Sequence, residues 1–311
     1  MKNINQVVSV GSVDGILTTA ALLHVIGDSD VDVVFAQAFT VDKVDVSSWK
    51  PERKVALVDL AVNNRDKTMT ANFVQRLKAA GHQIVVVCDE HSREDWLEVL
   101  GTFDGLLIEP QSQANGSLKS SGAVLFDAMR NRLDDHCLAL CDAADRADRM
   151  DFVGLGAVVN QAVKSKIQDD TRRVYLAKHF ANSSGADATI LGWIKEYEVI
   201  LANHQEIFAA KQDLGDGIVK VSAIGKVVDM TTLMSQLYKG GAKVVVMEGE
   251  MYDKSADKKL RQIAFGTSLK CDLLACVKQI VPTASGFAQK VNVAPESEAL
   301  AIEAVRQLLR G

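Results

Sequence analysis

Four apolar runs, each strand-length and separated by longer or helix-patterned stretches, constrain the first half of this chain most tightly. Val7–Val10 (VVSV), Val31–Ala38, Lys54–Leu60 (KVALVDL) and Ile84–Cys88 (IVVVC) read as strands. Ile16–Ile26 and Lys67–Ala80 carry helical patterning, the second closed by Gly81. Strands that are apolar throughout belong to a parallel sheet covered on both faces. The chain is therefore read as α/β. Three strands run into polar or acidic residues: Ser12 and Asp14, then Asp59, then Asp89, Glu90 and His91. Ligands of open parallel sheets bind beyond the carboxyl ends of the strands, so these ends mark a candidate site. The plain alternative is that such carboxylates are helix N-caps, that His91 is an exposed loop residue, and that Asp145–Arg149 is a solvated ion-pair run.

A helix is expected over Ser120–Arg132, and residues 155–213 look mainly helical and charged. The turn cluster Asp213–Gly217 sets a boundary, followed by a second α/β unit. It has strands at Ile218–Ile224 and Lys243–Glu248, a helix at Met230–Tyr238, and a C-terminal helix at Glu296–Leu309 with Leu300, Ala304 and Leu308 on one face. The expected organisation is a parallel-sheet domain (1–160), a helical connector (161–214) and a smaller C-terminal α/β domain (215–311), with a cleft between the domains. Trp96 and Phe103 are expected in the core, His82 and His136 at the surface.

Composition narrows the partners. Of the 311 residues, 48% are hydrophobic and 24% charged, as in ordinary globular proteins. A net charge of −5 disfavours a duplex-coating protein, and 5% aromatics argue against an extended base-stacking platform. Lys243, Lys254, Lys258 and Lys259 could form a basic lip, but scattered lysines usually only solubilise. The five cysteines include no CxxC pair, so reduced thiols and a cytoplasmic location are expected. No secretory leader and no apolar run of about 18 residues is seen, so no membrane partner is expected.

Asp14, Asp59, Asp89, Glu90, His91 and one of Asp142, Asp145 or Asp148 could converge. Hard oxygen donors with an imidazole suit manganese or magnesium. Such a cation acidifies water and polarises a phosphoryl oxygen.

The order of these motifs resembles the DHH phosphoesterase superfamily, particularly its RecJ-like and oligoribonuclease-like members. The resemblance rests on Ser12-Val13-Asp14-Gly15 after the first strand and on Val58-Asp59-Leu60-Ala61, followed by Val62-Asn63-Asn64-Arg65. It continues in Asp89-Glu90-His91, in the helix start Ser121-Gly122-Ala123, and in Ala139-Leu140-Cys141-Asp142-Ala143-Ala144-Asp145. It implies that Asp14, Asp59, Glu90 and Asp145 hold Mn2+ or Mg2+, that Asp59 and His91 are catalytic, and that His91 contacts the scissile phosphate. The family's C-terminal domain grips phosphate through a Gly-rich loop. The counterpart here is Ala284–Lys290, making Ser285, Gly286 and Lys290 substrate-binding candidates. The chain departs from the family at Ser12, which stands where an Asp ligand is usual, at Val8 and Val10, where an upstream His would sit, and at Glu90, which replaces the first His. Those departures point away from a two-metal mechanism, to a one-metal or metal-poor site. The implied function is metal-dependent hydrolysis of a phosphodiester or phosphomonoester in a nucleotide or short single-stranded oligonucleotide. The alternative is a degenerate homologue that binds a nucleotide or protein partner without hydrolysis. The oligomeric state is left open.

Overall fold

The computed structural model describes residues 3–28, 30–63, 66–108, 119–253 and 258–310. The chain forms two compact units, Met1–Glu196 and Tyr197–Gly311. Asn64 and Arg65 of the second motif, and Lys254, lie outside the described residues.

In the first unit the elements are β1 (Gln6–Ser9), α1 (Val13–Ile26), β2 (Asp32–Phe35), β3 (Lys54–Val58), α2 (Lys67–Ala79), β4 (Gln83–Cys88), α3 (Arg93–Leu100) and β5 (Leu106–Ile108), then α4 (Ser121–Met129), α5 (Asp135–Asp148), α6 (Gly154–Lys164) and α7 (Asp170–Phe180). The sheet is parallel throughout, in the order β2-β1-β3-β4-β5. Successive strand residues point to opposite faces, and here both faces are buried. Val7, Ala56, Val58, Val86 and Cys88 pack with α1, α4, α5 and α7. Val8, Val55, Leu57, Ile84 and Val87 pack with Phe73, Val74, Leu77 and Trp96. This double burial is why the strands are continuously apolar, as the α/β expectation required.

Local sequence missed α3 and β5. In α3 only Trp96 and Leu100 are buried, so its charge hides its apolar face, and β5 is three residues long. Trp96 is buried as expected. His82 is buried rather than superficial, because its Nδ1 accepts from the Arg53 amide at 3.2 Å. His136 is half-buried, bonded to the Phe180 carbonyl at 2.8 Å. Gly122 lets α4 cross α5 closely, since a Cβ there would lie 2.6 Å from Ala144 Cβ.

α8 (Ala188–Ala209) crosses the division between the units. The second unit holds β6 (Gln212–Asp213), β7 (Ile218–Ser222), α9 (Met230–Lys239), β8 (Val244–Asp253), β9 (Lys258–Thr267), α10 (Leu273–Lys278), β10 (Ser285–Phe287), β11 (Lys290–Val293) and α11 (Glu298–Arg310). Its described strands run in the order β10-β11-β9-β8-β7-β6, with only β7 and β8 parallel. The Asp213–Gly217 cluster closes the β6–β7 hairpin, with Gly215 and Gly217 at φ 83° and 81°. On α11 the buried stripe is Ala301, Ala304 and Val305, while Leu300 is 54% exposed. Of the expected face, Ala304 is buried and Leu308 packs partly buried against the core, while Leu300 stays outside it. Among the described residues no helix is long and apolar enough to cross a membrane.

His24, near the end of α1, ties three helices together. Its Nδ1 lies 2.7 Å from the Ala181 carbonyl and its Nε2 2.9 Å from Asp134. Burial opposes its charge, but the hydrogen bond to Asp134 and then the Ala181 carbonyl prevail and raise its pKa above 6.5. The resulting stability is fully present below pH 6.5 and is lost as pH rises through the raised value. Denaturant unfolding of the wild type should therefore show stability falling over that interval, and His24→Gln should flatten the profile. Identical profiles would contradict this.

Candidate metal centre

The strand order reverses at β1. From it the chain passes to β2 on one side, then to β3, β4 and β5 on the other. The crevice beyond the carboxyl ends of β1 and β3 is the topological switch point, where doubly wound sheets bind ligands. Asp14, in the first turn of α1, and Asp59, one residue past β3, flank it.

Asp59 is the buried centre, 6% exposed. Its backbone takes the left-handed φ of 56°, which costs an L-residue about 1–2 kcal/mol, and its amide donates to the Cys88 carbonyl at 2.8 Å. Oδ2 accepts from Ser12 Oγ at 3.0 Å and Oδ1 from Ser121 Oγ at 2.7 Å. Ser121 also bonds Glu90. Burial, then the charges of Asp14, Glu90 and Asp89, raise the Asp59 pKa well above the ordinary carboxylate value. Glu90 is raised too, by burial and by Asp89.

The N-cap of α1 is Ser12, whose Oγ accepts from the Gly15 amide at 3.2 Å. That leaves Asp14 uncommitted to capping, and it accepts no hydrogen bond among the described residues. Ser120 repeats the arrangement. It caps α4 by accepting from the Ala123 amide and donates to Asp145 Oδ1 at 2.8 Å. Asp145 Oδ2 pairs with Arg149 at 2.5 Å. Asp148, one turn along α5, feels the charges of Asp14 and Asp145, and burial with those charges raises its pKa. Asp142, one turn before Asp145, is exposed.

His91 is fixed by the strand-end carboxylate beside it. Asp89 is 2% exposed. Its Oδ2 accepts from the Trp96 indole at 2.7 Å and its Oδ1 lies 2.9 Å from His91 Nδ1. The hydrogen bond to Asp89 outweighs burial and, with the charges of Asp89, Glu90 and Asp148, lifts the His91 pKa to about 9. The imidazole is thus cationic at neutral pH, with Nε2 unpaired among the described residues. One ligand atom from each of Asp89, Glu90 and His91 lies within 4.8 Å of the others, but both Asp89 oxygens are already committed.

Ser121 links Asp59 with Glu90, and the charge of Asp14 acts on both Asp59 and Asp148, but among the described residues only Asp89, Glu90 and His91 bring ligand atoms within 4.8 Å of one another. The sequence reading missed the roles of Ser120, Ser121, Trp96 and Arg149 and left Asp148 unassigned. The serines stood in the Ser-Gly-Ala helix start, which was the available signal. Six carboxylates (Asp14, Asp59, Asp89, Glu90, Asp145, Asp148) face two cations, His91 and Arg149. That excess of hard oxygen donors is the chemistry a divalent cation of the magnesium or manganese type would use.

Ser285 and Gly286 lie on β10 and Lys290 on β11, all exposed in the second unit. They adjoin an open depression of about 620 Å³ lined by Lys270, Phe287, Gln289 and Lys290. Gly286, at φ 136°, is held where a Cβ would meet the Lys290 carbonyl at 2.1 Å.

No family model and no curated protein matches the sequence. Solved structures do match. A pGpG-specific phosphodiesterase, PggH, from Vibrio cholerae superposes with a TM-score of 0.66 at 11% identity, covering 98% of each chain. RecJ from Thermus thermophilus in complex with Mn2+ gives 0.55 at 13% identity, over 97% of this chain and 52% of that one. The DHH domain of PF0399, a member of the s1p family of ribosomal proteins, gives 0.56 at 12% identity, over 98% and 86%. The chain therefore has the fold of the DHH superfamily, as the motif order implied. Of these three, PggH gives the highest TM-score.

Gly15 carries the centre's tightest constraint, since a Cβ there would lie 2.3 Å from the Val10 carbonyl and 2.6 Å from Asp59 Oδ2. Gly15→Ala should displace the Asp59 carboxylate and lower the melting temperature; unchanged melting and Mn2+ titration would refute this. The His91 imidazole should titrate near pH 9 by NMR in the cation-free protein. Asp89→Asn should return it toward 6.5.

Proposed function

We propose that this protein is a metal-dependent phosphoesterase that hydrolyses a phosphodiester or phosphomonoester in a nucleotide or short single-stranded oligonucleotide. The observation that carries this is buried Asp59 at the switch point, coupled by charge to Asp14, Glu90 and Asp89, with His91 held beside it by Asp89. The fold shared with a pGpG-specific phosphodiesterase and with RecJ supports a nucleotide-type substrate.

Asp14, Asp59, Glu90 and Asp145 would hold one Mn2+ or Mg2+. Bound there, the cation supplies a Lewis acid that polarises a phosphoryl oxygen and acidifies the attacking water. The protein's own groups do the rest. Asp89 and Trp96 hold the His91 ring, so that its charged Nε2–H can donate to a phosphoryl oxygen. Ser12 and Ser121 fix the Asp59 carboxylate, and preorganised groups of this kind need no rearrangement during reaction. Ser285, Gly286 and Lys290 would bind the remainder of the substrate.

One observation favours the second reading, a nucleotide binder without turnover: Ser12 places a hydroxyl rather than a carboxylate against Asp59. A direct test separates the two. With Mn2+, the purified protein should hydrolyse pGpG or short oligonucleotides, and Asp59→Asn should lower the rate by about a hundredfold or more. Ligand-induced thermal stabilisation without turnover would instead support the binder.

A further inference from the structure

We infer that Arg149 is an exchangeable arm of this centre. It holds Asp145 while no divalent cation is bound and turns to the substrate's phosphate once Asp145 ligates one. The inference rests on the phosphoesterase reading and deepens it.

Arg149 sits at the C-terminal end of α5, four residues after Asp145. Its Nη2 lies 2.5 Å from Asp145 Oδ2 and its side chain is 52% exposed. An exposed i,i+4 pair contributes little stability, so the guanidinium can be displaced cheaply. The other oxygen of Asp145 is held by Ser120, which keeps the carboxylate in place when Arg149 leaves. Oδ2 is then the ligand atom for which Arg149 and a divalent cation compete.

Arg149 and His91 both lie near enough to Asp148 to act on its charge. A guanidinium offers a planar pair of donors matched to phosphate oxygens. Arg146, on the same helix, is the contrast. It pairs with Asp151 at 2.8 Å.

The test titrates Mn2+ alone into wild type, Arg149→Met, Arg149→Lys and Arg146→Met, then titrates inorganic phosphate into each Mn2+-loaded protein, with melting curves to confirm folding. Arg149→Met should bind Mn2+ about two- to fivefold more tightly, having lost the competing cation. It should bind phosphate about tenfold more weakly, having lost a charged donor. Arg149→Lys should fall between it and wild type, and Arg146→Met should match wild type in both titrations. Opposite signs in the two titrations support the exchange. Unchanged or weaker Mn2+ binding by Arg149→Met, or unchanged phosphate binding, overturns it and leaves the phosphoesterase reading standing. A wild type that takes up no Mn2+ overturns both.

Discussion

The site depends on the burial of one carboxylate. Asp59 lies at the end of a central strand in a left-handed backbone conformation, beneath α1 and α4. A carboxylate withdrawn from water must be hydrogen-bonded or neutralised. Two serine hydroxyls meet the first demand, one on each oxygen. The second is left open by the surrounding charges, because its neighbours Asp14, Glu90 and Asp89 are themselves acidic. The local geometry follows from accommodating Asp59. Gly15 is a glycine because the carboxylate lies against its Cα, and Ser121 faces inward because it bridges Asp59 to Glu90.

Helix capping and site organisation share the same atoms. Ser12 and Ser120 each accept a backbone amide at a helix start and donate to a carboxylate of the centre. The carboxylates are therefore positioned by groups the two helices require anyway. Asp89 works differently. Fully committed to Trp96 and His91, it is less suited to ligation than to holding one imidazole charged and oriented. The result is a crowded acidic cluster with one imidazole held beside it by Asp89 and one arginine paired with Asp145.

Much of this was legible in the chain itself. Asp59, Glu90 and His91 stand just after apolar strands, Asp14 in the first turn of the helix that follows another, and Asp145 stands in a helix whose Ala-Leu…Ala-Asp spacing matched a known pattern. Other participants were hidden because their local sequence has an ordinary explanation. Ser120 reads as a helix cap, which it is, and Trp96 reads as core, which it also is. Arg149 lies in an alternating charge run that looks solvated. The α3 helix was missed because its buried face amounts to two residues.

The parallel sheet follows from the chain's own pattern, through strands with no polar face, and so do the helix starts, through serine and aspartate caps. The acidic residues at the strand ends are equally local, because those positions follow directly from the periodicity. Folding in three dimensions selected which carboxylates meet, which hydroxyls hold them and which ring carries a proton. Ser121 and Asp59 are 62 residues apart in the chain yet 2.7 Å apart in the fold. Charge and hydrogen bonding act through space over a few ångströms, so no reading along the chain can supply them.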